Sequence, residues 1–343
     1  MSNAKYLVWV TAAAALLLAC ADEGTTPTPN TTSIGTWEVH TPPYAGAWTH
    51  CDLQSDGTLW ATIIRDGSKR AAIVRHGEGG WSIQEFEAET TEALNDIRMF
   101  DDDRGWAVGN AGALLEYRGG RWFLERPLYN VEYFHLGGVD SHNVWVNGIS
   151  RPYNGPALLH NDGSGWHEAV QPPGYSSYGP LYMSGPLDGY MIGRTRFGDE
   201  ILRLGNAGWE AAITFSEPLH FYDIGGAGEV TYAVGERRLG PMREGRVYQI
   251  TPAVVDLTPA VLPAEDYDYR ACFVDARGGL WVAAAPYRIT TEPFELLYWN
   301  GAEWRRATIE NTTSAIPRFF DLDFAAGAGW AVGGAAYARY REP

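Results

Sequence analysis

Lysine is nearly missing from this 343-residue chain: Lys5 and Lys69 are the only two, and every other base is arginine. Bases of both kinds are outnumbered, 26 against 42 acids, for a formal charge of −16. The field of such a molecule repels a polyanion, which excludes sequence-blind binding of nucleic acid. Helical periodicity is absent after residue 19, and no heptad or long charged run suggests a coiled coil. The eight histidines are scattered, with no His-x-His or His-Glu-x-x-His pair to seat zinc on one face. No Gly-x-Ser-x-Gly elbow occurs, and the glycine-rich segments are turns rather than phosphate loops that open a helix. Nothing sets a nucleophile beside a base. The expectation is a protein without catalytic residues, metal or cofactor.

What is present is aromatic. Fourteen Trp and nineteen Tyr, within 45% hydrophobic residues, supply a core and exclude global disorder. Forty Gly and twenty Pro punctuate a length that suits two ordinary domains or one large all-β domain.

The chain divides into three parts. In residues 1–19, Lys5 precedes an apolar run from Leu7 to Ala19, broken only by Thr11. This reads as a secretory signal segment, too short for a comfortable membrane span. Its end, Leu17-Leu18-Ala19-Cys20, resembles the bacterial lipobox. That resemblance implies cleavage before Cys20, lipidation of Cys20, and a protein held on the outer face of a bacterial membrane. Acyl chains stabilise such an anchor by about 0.8 kcal/mol per methylene. Residues 20–34 comprise Cys20 and a polar, Thr- and Pro-rich tether that cannot pack a core. Extended, it reaches roughly 45–50 Å, so the body, residues 35–343, stays near its membrane.

That body is a repeat array. A five-residue motif recurs around Trp60, Trp106, Trp145, Tyr190, Tyr232, Trp281 and Trp330, at steps of 46, 39, 45, 42, 49 and 49 residues. An acidic or Gly-rich turn precedes each copy. Another strand, a Gly/Asn turn and a closing Trp (Trp81, Trp122, Trp166, Trp209, Trp304) follow most of them. Each unit reads as four short strands, at the period of propeller blades. The seventh copy stops without its closing Trp, whereas the body begins with an orphan one, Gly35-Thr36-Trp37-Glu38-Val39. The expected fold is therefore an all-β, seven-bladed β-propeller of four-stranded blades, its ring closed by the N-terminal strand joining the last blade.

The strand Gly105-Trp106-Ala107-Val108-Gly109, the segment Gly112-Ala113-Leu114-Leu115-Glu116-Tyr117 and the turn Gly119-Gly120-Arg121-Trp122 resemble secreted bacterial propellers of the photosystem II assembly factor and sialidase-repeat type. The resemblance covers residues 35–343. It implies a scaffolding or assembly role outside the cytoplasm and transfers no functional residue. Ser55-Asp56-Gly57-Thr58 is similar to a compressed Asp box, which is a turn-forming element, and Asp101-Asp102-Asp103 reads as a solvated turn. Cys51 and Cys272 each stand nine residues before a core aromatic. They therefore occupy equivalent strands of blades one and six, too far apart to bridge.

Topology supplies the functional lead. Connections between blades share one face with the loops joining each blade's second and third strands. Twelve residues before the core aromatics stand Trp48, Tyr133, Tyr178 and Tyr269, and Phe221 and Phe319 follow that slot directly in two other blades. The second-to-third-strand loops carry arginines, among them Arg151, Arg196 and Arg238. Rings and guanidiniums are common anchors of binding surfaces. These nine residues are the candidate partner-binding set, for an envelope or extracellular protein. A glycan stacked on the rings is the alternative, and an enzyme with carboxylates converging from separate blades ranks below it.

Overall fold

The computed structural model describes residues 34–66, 70–86, 93–101, 104–125, 130–151, 154–259, 267–287, 294–311, 318–325 and 327–342. The expected signal segment, Cys20 and all of the tether but Ile34 lie outside the described residues, as do Lys69, Asp102 and Asp103.

The recurring motif forms the second strand of every blade, as in Leu59–Arg65, Arg104–Gly109 and Leu280–Pro286. Both faces of this strand meet other blades, so it is a run of buried residues rather than an alternation. Leu280–Pro286 is buried throughout. Closing glycines of the motif permit close approach by the innermost strand. A Cβ on Gly109 or Gly333 would lie 1.9 Å from the carbonyl oxygen of Ala93 or Arg318.

The described residues form seven sheets, six of them with four strands in chain order. Blade one consists of Gly46–Leu53, Leu59–Arg65, Ala71–Gly77 and Gly80–Glu85. Blade seven contains Asp321–Ala325, Ala328–Gly333 and Ala336–Arg341, and then the N-terminal strand Thr36–His40. The last two run antiparallel, with Trp37 opposite Tyr340. Outside them Thr308–Asn311 adds a fifth strand, parallel to Thr36–His40. The sequence does not announce it, because it belongs to the connection from blade six and carries no aromatic or turn signature. The fold is an all-β, seven-bladed propeller.

Core aromatics and closing tryptophans, which the sequence assigns to one blade each, pair across blades. Trp60 meets Trp122 at 5.8 Å between ring centroids, Trp106 meets Trp166 at 5.0 Å, and Trp145 meets Trp209 at 5.5 Å. Trp330 meets Trp81 at 5.9 Å, and Trp281 meets Trp37 at 5.6 Å. All five pairs are edge-to-face, a geometry worth about 0.5–1.5 kcal/mol beyond area burial. Trp37 thus fills, from the other end of the chain, the slot that a closing Trp fills elsewhere.

Candidate binding site

Trp48, Tyr133, Tyr178, Tyr269, Phe221 and Phe319 all lie within the core, none more than 2% exposed. This corrects the expectation that they form a contact surface. Each stands in the first residues of an innermost strand, or just before it in the case of Phe319, and fills the wedge against the preceding blade: Trp48 packs with Trp330 and Val332, and Tyr133 with Trp106 and Val108. Phe319 meets Phe294 edge-on at 4.3 Å. Blades diverge from the axis, and a large ring at the strand start occupies the space that opens between them. Stacking of a sugar on these six rings is excluded by the same burial.

The arginines do reach the surface at the second-to-third-strand loops. Arg151 follows Asn143–Ser150 and donates to Glu132 at 2.6 Å, with 64% of its side chain exposed against 19% for the glutamate. Arg196 is exposed and lies over the Phe197 ring at 4.4 Å. Arg238 donates to Glu236 at 2.5 Å, and Arg243 donates to the same carboxylate at 3.1 Å.

Around these arginines in blades four to six, four apolar side chains that the sequence reading passed over are exposed: Phe197, Leu239, Met242 and Tyr287. Arg243 lies over Tyr287 at 4.8 Å, joining blades five and six. A signal for them existed, since apolar residues at hairpin tips have no core to enter. The acids here lie beneath their partners. The Glu236 side chain is fully buried while Arg238 is 44% exposed. Asp268 is likewise fully buried, beneath an Arg270 that stacks on Tyr222 at 4.2 Å, these two side chains bordering the axial cavity. Burial pushes the Asp268 carboxyl up; Arg270 pulls it down, and neighbouring Glu236 adds to the rise. The face therefore presents guanidiniums outward on a protein of charge −16.

A second set of polar groups lines the axis. Asp321 accepts the Cys51 N–H at 2.9 Å, and Asp323 accepts that of Leu53 at 2.7 Å, both across the seam between blades seven and one. Asp52 accepts from Met99 at 3.0 Å, Asp96 from Leu136 at 2.8 Å, and Asp223 from Cys272 at 2.8 Å, each from the next blade. In Asp96, Asp223, Asp321 and Asp323 the second oxygen accepts the N–H of the following residue. Burial pushes Asp96 and Asp323 up to about 7 and Asp223 up to about 6. Cys51 and Cys272 are free, buried thiols on the same wall. The signal for this set was an Asp nine or ten residues before the core aromatic, visible at Asp96, Asp223 and Asp321.

On the opposite face, Asp56 accepts the Thr58 N–H at 2.7 Å, the turn role expected of an Asp box. Among the described residues no group of three His, Cys, Asp or Glu side chains is placed to hold a metal ion.

No protein-family model matches the chain, and no curated protein matches it. Solved structures match it in fold. YCF48 from Cyanidioschyzon merolae aligns with a TM-score of 0.60 at 14% identity, over 90% of this chain and 98% of that one. The RRP9 WD40 repeats align with a TM-score of 0.62 at 8% identity, over 89% and 97%. The extracellular domain of the hybrid two component system BT3049 from B. thetaiotaomicron aligns with a TM-score of 0.56 at 10% identity, over 89% and 42%. At these identities the likeness is one of architecture, that of the β-propeller.

Proposed function

We propose that this propeller is a non-enzymatic protein-binding or assembly scaffold of the cell envelope, anchored through lipid on Cys20. Its partner docks on the hairpin tips of blades four to six. One observation carries this reading: Phe197, Leu239, Met242 and Tyr287 are exposed together with the Arg238 and Arg243 guanidiniums, whose shared Glu236 carboxylate lies underneath. Apolar anchors ringed by arginine are what interface hot spots are made of. Neighbouring propellers support the architecture and do not identify a partner.

The test begins with affinity capture from detergent-solubilised envelope, using full-length protein and its Phe197→Ala/Tyr287→Ala variant. The recovered protein is then purified and titrated against both. A stoichiometric complex that the variant weakens by about tenfold or more, a loss of about 1.4 kcal/mol or more, sustains the reading. Equal affinity for a folded variant removes the face from consideration.

A further inference from the structure

Two cavities meet inside the ring. The larger, of ≈ 600 Å³, runs among the innermost strands, and the second, of ≈ 440 Å³, lies where those strands begin. His50 and His135 are the two residues that border both, so their imidazoles stand at the join. Neither ring has a hydrogen-bond partner among the described residues, and His50 Nδ1 is shut off from solvent without one.

Most other polar groups of the wall are already engaged. The channel carboxylates accept backbone N–H groups, Ser184 donates to Asp188, and Arg270 pairs with Asp268 while lying over Tyr222, which leaves Arg98 and the Tyr182 hydroxyl as the further groups facing the lumen. Among the described residues Arg98 has a single ion pair, to Asp52 at 3.4 Å, and 49% of its side chain is accessible. The Tyr182 hydroxyl has no hydrogen-bond partner among the described residues. Both side chains stand one step further along the axis than the imidazoles, two residues beyond the level of Asp96 and Pro180.

The environment acts alike on the imidazoles and on the aspartates of the wall. Burial pushes His50 down to about 4 and His135 well below the ordinary imidazole value. It pushes the aspartates up, so both classes move toward their uncharged forms. A guest with net charge gives up its hydration on entry, and Arg98, already paired with Asp52, offers only partial compensation. A guest with hydroxyl groups is compensated by the wall, because each hydroxyl both donates and accepts, as does a neutral imidazole. The volume is that of an ordinary small-molecule site.

We propose that the axial channel binds a small uncharged polyhydroxyl molecule of mono- or disaccharide size. His50 and His135 hydrogen-bond its hydroxyls at the join, and Arg98 and Tyr182 do so deeper in the channel. This site is separate from the docking face, and either can fail without the other.

The test is calorimetric titration of the full chain in detergent with glucose and maltose, against glucosamine and glucuronate as cationic and anionic counterparts. At least one uncharged sugar is expected to bind, with each charged probe weaker by about tenfold or more. His135→Phe, which fills the join, should abolish binding. Tyr182→Phe should weaken it several-fold while the free protein keeps its circular dichroism and melting temperature. Should His135→Phe not fold, Tyr182→Phe decides. Three results would overturn the proposal: no heat from either uncharged sugar at tens of millimolar, a charged probe binding as tightly, or folded variants binding like wild type.

Discussion

In the channel, Asp323 offers one oxygen to the Leu53 N–H and the other to the Phe324 N–H. On the hairpin face, Glu236 offers one oxygen to both Arg238 and Arg243, and its second oxygen is buried without a partner. Both carboxylates are buried, and they are compensated by different means. Channel acids are held by fixed backbone donors, which tie one blade to the next and cannot move away. Hairpin acids are held by flexible guanidiniums that also face water. The first arrangement stitches the ring, and the second leaves a surface whose charge is directed outward.

The contrast breaks most sharply at the seam between blades seven and one. Asp321→Ala with Asp323→Ala leaves four N–H groups, of Cys51, Leu53, Leu322 and Phe324, without their acceptors. At about 1–3 kcal/mol for each orphaned buried donor, the loss is on the order of 5 kcal/mol. Denaturant titration measures it, and a loss under about 1 kcal/mol would show that these carboxylates do not hold the ring.

Protonation separates the two regions next. Asp96, Asp223 and Asp323 have folded-state values above the ordinary 3.8. The folded state therefore binds these protons more tightly than the unfolded chain. Their contribution to stability is full below about pH 4 and is lost as pH rises through about 6–7. Glu244 behaves in the opposite way. Although burial raises it, hydrogen bonds from Arg237 and Arg246 hold it below its ordinary value, so its contribution is lost on acidification. The melting temperature should rise by several degrees from about pH 8 to about pH 5 and fall below that. In Asp323→Asn the alkaline limb should flatten, and a limb unchanged from wild type would count against the channel as its source.

The smallest effect is expected at the hairpins. Glu236→Ala removes a partner from Arg238 and Arg243, and Arg238 can turn to solvent. A loss of about 1 kcal/mol is expected by denaturant titration, against several for the seam. A comparable loss at both places would erase the distinction.

Blade number and strand order were legible because each unit repeats its own punctuation, a turn, a Gly-bounded aromatic and a closing Trp. Which blade a ring packs against was not legible. Spacing placed Trp48, Tyr133 and Tyr178 in the connections between blades, whereas they stand in the first residues of the innermost strands, and position along the chain does not give depth. At that level of the ring, the wedge between blades takes the side chain inward. The arginines at hairpin turns were readable, since a turn of that length has nowhere to bury a guanidinium. His50 and His135 were not, because convergence on an axis depends on how blades are arranged around it. Asp96, Asp223 and Asp321 stand nine or ten residues before their core aromatics, yet their role depends on the next blade's backbone.

The strand Thr36–His40 lies between Ala336–Arg341 and Thr308–Asn311, with Ile34 accepting a hydrogen bond from the Tyr340 hydroxyl at 2.6 Å. Tension applied to the chain ahead of Ile34 runs along this strand. Its hydrogen bonds to both neighbours are then loaded in shear and resist together, whereas bonds pulled from one end part in sequence. The sheet that completes the ring is in this respect also its mechanical clamp, able to bear a pull from the N-terminal side without unzipping.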